Sequence, residues 1–500
     1  MKKTRFLAGF MALLMLTGTL AACANGTDDQ PDDGKQTQGS AETETGIRDN
    51  LPGDLNYGDQ EVTIISRDME GWTRGEVSVD GITGDPVNDA VFERNKAVEQ
   101  RLNIKIVSML EKTSGSSVVP DKVVTSVKAG TGEYDIMAAC AYTTFPHTLT
   151  GSFVNLANTE YLELDQIWWT QGLNEAVTYD GMQFMATGSI LLSIYRFAFV
   201  TVFNKDMFVD ANQPFLYDTV ENGQWTLDKQ VSLVPLFHKD DGDGVAEAEN
   251  DIYGFVSSNL ISTDAYWSSC EIRMIDKTSD GDLQVVLDTD RLHAATDKIL
   301  ALYYGTDGGT YVLSAYGSDS EQDDIRNMFA QGQAAMATLR IMALENSVMR
   351  NMEDEYGVIP MPKFDLEQKN YGTLLHDQFT IISIPTTVTG ERLDMVSAVL
   401  EAMGSASYKV VKPVYYEETL RTKIAQDPQS ALMMDIITEG IYIDLGIINT
   451  DFGFQSGLRA MVQNKSNNTA SRYKAVSKSA GNKIKAIAKK LDKVAQQQPS

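Results

Sequence analysis

Glu61-Val62-Thr63-Ile64-Ile65-Ser66 is a short apolar run rich in β-branched residues, and Tyr134-Asp135-Ile136-Met137-Ala138-Ala139 is a second run of the same length. Runs of this kind read as buried strands. Between them, Asp85-Pro86 opens a helix with Val87, Ala90, Val91 and Val98 at helical spacing. Residues 103–107 then alternate as a strand with Ile104 and Ile106 on one face, and Val123, Val124 and Val127 lie on a second helix that stops at Gly130. Strand, helix, strand, helix, strand predicts a mostly parallel sheet with helical crossovers, an α/β fold.

The alternation continues less regularly. Residues 198–203 predict a strand, 227–237 a helix and 292–304 an amphipathic helix. Residues 334–338, 357–359 and 379–384 predict short strands, and 393–404 a helix. The stretch from Tyr473 to Ala495 predicts a basic amphipathic helix with Lys474, Lys478, Lys485, Lys489 and Lys493 exposed. It reads first as a solvated helix closing one lobe, with contact to anionic lipid as the alternative.

The chain opens with cationic Met1-Lys2-Lys3-Thr4-Arg5 and an uncharged apolar run from Phe6 to Leu16, the pattern of a secretory signal peptide. That run is too short to span a bilayer, which takes about 20 residues. It ends in Leu20-Ala21-Ala22-Cys23, which resembles the bacterial lipobox, and the resemblance implies a lipid on Cys23. Residues 24–50 are polar and almost free of apolar side chains, so 23–56 is expected to be a disordered tether.

The first 22 residues hold three of the 42 Lys+Arg and no acid, so the chain from Cys23 onward has 39 cations against 69 Asp+Glu. So acidic a surface repels phosphate backbones and argues against nucleic acid as a partner. Cys140 and Cys270 either pair outside the cell or are small buried apolar groups, and their spacing leaves both open.

Five segments, in order, resemble blocks of the extracellular solute-binding proteins of carbohydrate-type ABC importers, family 1. They are Tyr134-Asp135-Ile136-Met137, Phe203-Asn204-Lys205-Asp206-Met207-Phe208, Trp225-Thr226-Leu227-Asp228, the run 329–336 (FAQGQAAM) and the run 356–363 (YGVIPMPK). The residues make physical sense unaided. Thr226 is a natural N-cap, Trp225 before it can staple the helix start, and Gly332 permits a helix to turn into a thin strand.

The resemblance implies a two-lobed periplasmic-binding-protein-like fold of mostly parallel sheets flanked by helices, with ligand enclosed between the lobes and strands crossing between them. Transferred by order, the crossovers fall near 198–203, 336–340 and 381–385. Lobe one would hold 57–197 plus 336–383, and lobe two 198–335 plus 384–500. The implied function is a lipid-anchored extracellular receptor, acting as a monomer, that captures a sugar or oligosaccharide and delivers it to the permease subunits of an ABC importer. Two rivals are weighed: a secreted glycoside hydrolase using paired carboxylates, and a ligand-sensing partner of a membrane receptor kinase. The sequence has no H-E-x-x-H, G-x-S-x-G, P-loop or C-x-x-C motif, so no enzymatic activity is expected.

Sugars are held by aromatic faces and fixed polar groups, and ligands sit beyond the carboxyl ends of parallel strands. Trp72, after the first strand, and Tyr142, after the third, are therefore ligand candidates. Arg196 near the first crossover, Arg340 after the Ala-Ala-Met strand, Asp377 before residues 379–384 and Trp267 in lobe two complete the set. Salt-bridge roles for Arg340 and Asp377 compete with ligand contact. No cofactor is required. The one ion considered is structural calcium in Lys239-Asp240-Asp241-Gly242-Asp243-Gly244, with Asp241, Asp243 and Asp251 as ligands. That loop is damaged, because Lys239 holds the first ligand position and the closing acid falls at Asn250, one residue before Asp251.

Overall fold

The computed structural model describes residues 48–243, 250–314, 320–421 and 428–496. Cys23 and the signal-like segment lie outside the described residues. Residues 47–500 form one compact unit. Among the described residues its strands are β1 (Gln60–Arg67), β2 (Ile104–Glu111), β3 (Ile136–Cys140), β4 (Phe199–Asn204), β5 (Phe255–Ser258), β6 (Ile275–Lys277), β7 (Leu283–Val285), β8 (Thr310–Leu313), β9 (Met336–Arg340), β10 (Tyr356–Pro360) and β11 (Thr380–Ser383).

The first sheet has the order β11-β3-β1-β2. β1 is parallel to β2 and β3, and β11 runs antiparallel to β3. The second has the order β10-β4-β9-β5-β8. There β9, β5 and β8 are parallel, and β4 runs against both β10 and β9. β6 and β7 form a separate hairpin.

Local chemistry accounts for the element ends. The Asp85 carboxylate accepts from the Asn88 amide at 2.9 Å, Pro86 opens the helix Pro86–Leu102, and Asn103 ends it in the left-handed region at φ 50°. Thr226 caps the helix Leu227–Leu233 by accepting from the Lys229 amide at 3.2 Å. Trp225 beside it is fully buried and donates its indole N–H to the Pro360 carbonyl at 2.9 Å, a structural part. Gly332, at φ 72°, makes the turn from the helix Ser320–Ala330 into β9.

Strand pairing corrects the expected partition. β9 and β10 sit in the second sheet, so residues 336–360 do not accompany the first, and β9 is no crossover. The helix Glu391–Ala406, expected with lobe two, buries Met395, Val396, Val399 and Met403 in one core with Val62, Ile64 and Ile136 of the first sheet. The chain thus passes between the sheets at residues 193–199, again at 361–379, and finally between Ala406 and the helix Pro428–Glu439, which packs on β10. That last passage includes a π-helical turn, Ser407–Val411, held to the first lobe by a 2.9 Å bond from Arg94 to Ser407 Oγ. Ala334, Ala335 and Ala337 misled because small residues suit a strand buried between two neighbours as well as one that crosses.

The tether is also shorter than expected. Asp49 forms a two-pronged ion pair with Arg101 at 2.7 and 2.8 Å, and Leu51 is buried in the first core. Residues 48–56 are therefore docked on the lobe. Cys140 and Cys270 are both free and buried, and burial pushes their thiols up, Cys140 to about 11 and Cys270 to about 12.

Glu401 shows what a buried acid does here. It is 1% exposed and accepts from Trp169 Nε1 at 3.1 Å and the Glu163 amide at 3.3 Å, and burial pushes it up to about 7. A carboxyl raised in the folded state favours folding below its unfolded pKa, and that contribution fades as pH climbs to about 7. Glu401→Gln should therefore flatten the stability profile between about pH 4.5 and 7 by about 3 kcal/mol. Urea unfolding at both pH values measures it, and a variant profile parallel to that of the unaltered protein would refute the assignment.

Candidate functional site: a polar cavity between the sheets

The segments that follow the carboxyl ends of β3 and β5, one strand from each sheet, come together at one place, the position where parallel-sheet proteins bind ligands. A cavity of about 300 Å³ lies there. Tyr142 comes to it from the first lobe, Asp377 and Gln378 from the end of the second passage, and Ile261, Asp264, Gln455 and Arg459 from the second lobe. Phe199, Leu374, Leu375 and His376, from the two connecting segments, complete the wall.

Asp264 lies in the helix Ile261–Ser269, is 3% exposed, and holds Arg459 of the helix Phe454–Gln463 through both carboxylate oxygens. Such a forked pair is geometrically specific. Asp377 lacks a comparable cation among the described residues. Burial, reinforced by the Asp264 carboxylate, pushes it up to about 6 against the pull of Arg459 and Arg340. Burial and the guanidiniums of Arg340, Arg459 and Arg67 hold His376 well below its ordinary value. His376 is thus neutral at pH 7, and its 3.6 Å approach to Asp377 is no ion pair.

Tyr142 Oη is 2.7 Å from Ser116 Oγ, which sets the tilt of its ring. Arg67, the last residue of β1, is 3% exposed and donates from Nη1 to Gln378 at 3.0 Å. Among the described residues its Nε and Nη2 find no partner. An unsatisfied buried donor costs about 1–3 kcal/mol.

The candidates read from the sequence separate into four groups. Tyr142 and Asp377 line the cavity. Trp72 and Arg340 line a neighbouring cavity of about 340 Å³ with Gln322, Arg326 and Glu345. There the Arg340 guanidinium lies 4.8 Å from the Trp72 ring, and Trp72 meets Phe197 and His376 edge-on at 5.2 and 5.7 Å. Arg196 is not at either cavity. It pairs with Glu345 at 3.0 Å and donates to the Arg74 carbonyl at 3.2 Å, joining the first passage to the end of β9. Trp267 is a correction: it is fully buried, packs edge-on against Tyr473 at 6.3 Å, and has no face to offer a ligand.

The calcium loop lies only partly within the described residues. The Asp251 carboxylate accepts from the Asp241 amide at 3.1 Å and the Tyr253 hydroxyl at 3.0 Å, and Asp241 accepts from the Asp243 amide at 3.1 Å. These bonds shape an acidic turn on the described side of the loop. Residues 244–249 lie outside the described residues.

Arg67, Asp264, Gln378, Gln455 and Arg459 escaped the sequence reading. For Arg67 the signal was present, because it ends a parallel strand just as Cys140 does before Tyr142. Asp264 and Arg459 are 195 residues apart and carry no local signal.

The geometry defines a class: two α/β lobes with a polar cavity enclosed between them. No protein-family model matches the chain, and no curated protein matches it in sequence. Among solved structures it is similar to UspC of M. tuberculosis (TM-score 0.54, 14% identity, 84% of this chain and 99% of that one). It is similar also to the GacH receptor of Streptomyces glaucescens (0.52, 13%, 85% and 98%) and to an ABC transporter solute-binding protein of Thermotoga lettingae (0.50, 16%, 86% and 100%). The fold is that of the two-lobed ABC transporter solute-binding proteins.

Trp267→Ala should lower stability by about 3–5 kcal/mol, the range for emptying a large core site. Tyr142→Ala, at a half-buried cavity wall, should cost much less. Chemical denaturation of both variants checks the order, and a Trp267→Ala protein as stable as the Tyr142→Ala one would put Trp267 back among the accessible residues.

Proposed function

We propose that the chain is an extracellular solute receptor that encloses a sugar or oligosaccharide in the cavity around Tyr142, Asp264, Asp377, Gln378 and Arg459 and presents it to an ABC importer. The observation that carries this reading is that one cavity draws hydrogen-bonding side chains from both lobes. A ligand that bridges them favours the closed arrangement, since its contacts are complete only when the lobes meet. Carboxylates and guanidiniums suit hydroxyl groups as acceptors and donors, and Tyr142 supplies an apolar face. GacH was solved with acarbose and the Thermotoga protein with tagatose, which supports a carbohydrate class for this fold.

On this reading residues 48–192 and 380–411 make up the first lobe and most of the remainder the second. A lipid on Cys23 would hold the receptor at the outer face of the cell membrane and raise its effective concentration at the permease. No described helix is long and apolar enough to cross a membrane.

Binding without turnover is the expected behaviour. A thermal-shift screen of mono- and oligosaccharides should give a stabilising ligand that is recovered intact by chromatography. Asp377→Asn and Tyr142→Ala should each weaken that ligand about tenfold, the equivalent of about 1.4 kcal/mol. Recovery of cleaved sugar at a catalytic rate would favour the glycoside-hydrolase alternative, and stabilisation only by a non-carbohydrate would overturn the ligand class.

A further inference from the structure

The last helix, Thr469–Ala495, concentrates positive charge on a chain that is otherwise strongly acidic. It carries eight Lys or Arg and one acid, Asp492, against 42 Lys+Arg and 69 Asp+Glu in the whole chain. One face is the packing face: Tyr473, Ala480, Ile484, Ile487, Leu491 and Val494 are buried. Lys474, Lys478, Lys485, Lys489 and Lys493 are exposed and recur at intervals of four and seven residues. At about 1.5 Å rise per residue they form a stripe about 28 Å long, turned away from the packing face. Among the described residues none of the five has a carboxylate at salt-bridge distance, so the cations are not neutralised within the fold.

We propose that this stripe docks the folded protein on an anionic lipid surface, with the helix axis parallel to the membrane. A straight row of cations rigidly backed by a packed helix matches an extended plane of phosphate headgroups, and each lysine near such a surface is attracted individually. The rest of the surface, at a formal net charge of -27 for the chain, is repelled. The balance therefore selects one orientation: this face meets the headgroups and the other faces stay away. Screening limits the repulsion to a Debye length of about 8 Å at physiological salt, so the stripe in contact outweighs acids farther off. The proposal rests on the reading that the protein works at a membrane and is independent of the sugar.

The test uses the compact unit, residues 47–500, which lacks Cys23, so that binding reports this face alone. Co-sedimentation with vesicles rich in phosphatidylglycerol at low salt should pull the protein down. Vesicles of phosphatidylcholine alone should not, and about 1 M salt, with a Debye length of about 3 Å, should abolish the interaction. The variant Lys485→Glu/Lys489→Glu/Lys493→Glu should lose partitioning by about fivefold or more per lysine while melting at the same temperature. If it melts early, Lys474→Glu/Lys478→Glu serves in its place. Equal binding to both vesicle types, no binding to the anionic ones, or undiminished binding by a folded variant overturns the proposal. Capture by soluble polyphosphate without vesicle binding overturns the lipid as the occupant.

Discussion

Glu76 is a 1% exposed carboxylate that belongs to the loop after β1 and accepts hydrogen bonds from two connecting regions. The Ser193 amide reaches it at 3.1 Å and the Thr380 hydroxyl closes on the other oxygen. Ser193 opens the first passage between the sheets and Thr380 begins β11 where the second passage ends. A single side chain thus holds both next to the carboxyl end of β1. Burial raises its pKa, with the hydrogen bonds opposing. Its neighbours extend the tie: Trp72 lies on Phe197, His376 and Arg340, and Arg196 joins Arg74 to Glu345. A buried carboxylate so engaged is costly to disturb, because removing one partner leaves an unpaired charge or acceptor behind. The placement of the cavity walls depends on this junction.

The cavity inherits a distinctive electrostatic character from it. Asp264 and Arg459 neutralise one another on the second lobe, while Asp377, at the end of the second passage, stands near them without a forked cation of its own and is raised to about 6. His376, surrounded by guanidiniums, stays uncharged. The result is a site dense in donors and acceptors with little net charge, which suits a neutral polyhydroxylated ligand better than a strongly ionic one. Arg67 adds buried donors behind Gln378.

The elements legible in the sequence are those decided within a few residues. β1, β3, the Asp85-capped helix and the Thr226 cap each come from short-range patterns: apolar runs, a capping oxygen, a proline at the first turn. Tyr142 reaches the cavity wall because a side chain just past a parallel strand faces the space between the sheets. Trp267 misled for a related reason. It sits three residues after Asp264 in one helix, and only the packing of Tyr473 decides which of the two turns toward the core and which toward the cavity.

The amino-acid sequence by itself determined the α/β class, the helix starts and stops, the acidic surface and the cationic row on the last helix, because all of these depend on composition and spacing along the chain. Only the tertiary structure decided that β9 and β10 join β4, that the helix Glu391–Ala406 returns to the first lobe, and that Asp264, Arg459, Asp377 and Arg67 converge. The physical reason is that strand order and ion pairing are settled by contacts between segments hundreds of residues apart. A small buried strand such as Met336–Arg340 satisfies its own local preferences equally well in either sheet, so only the partners that cover it can choose.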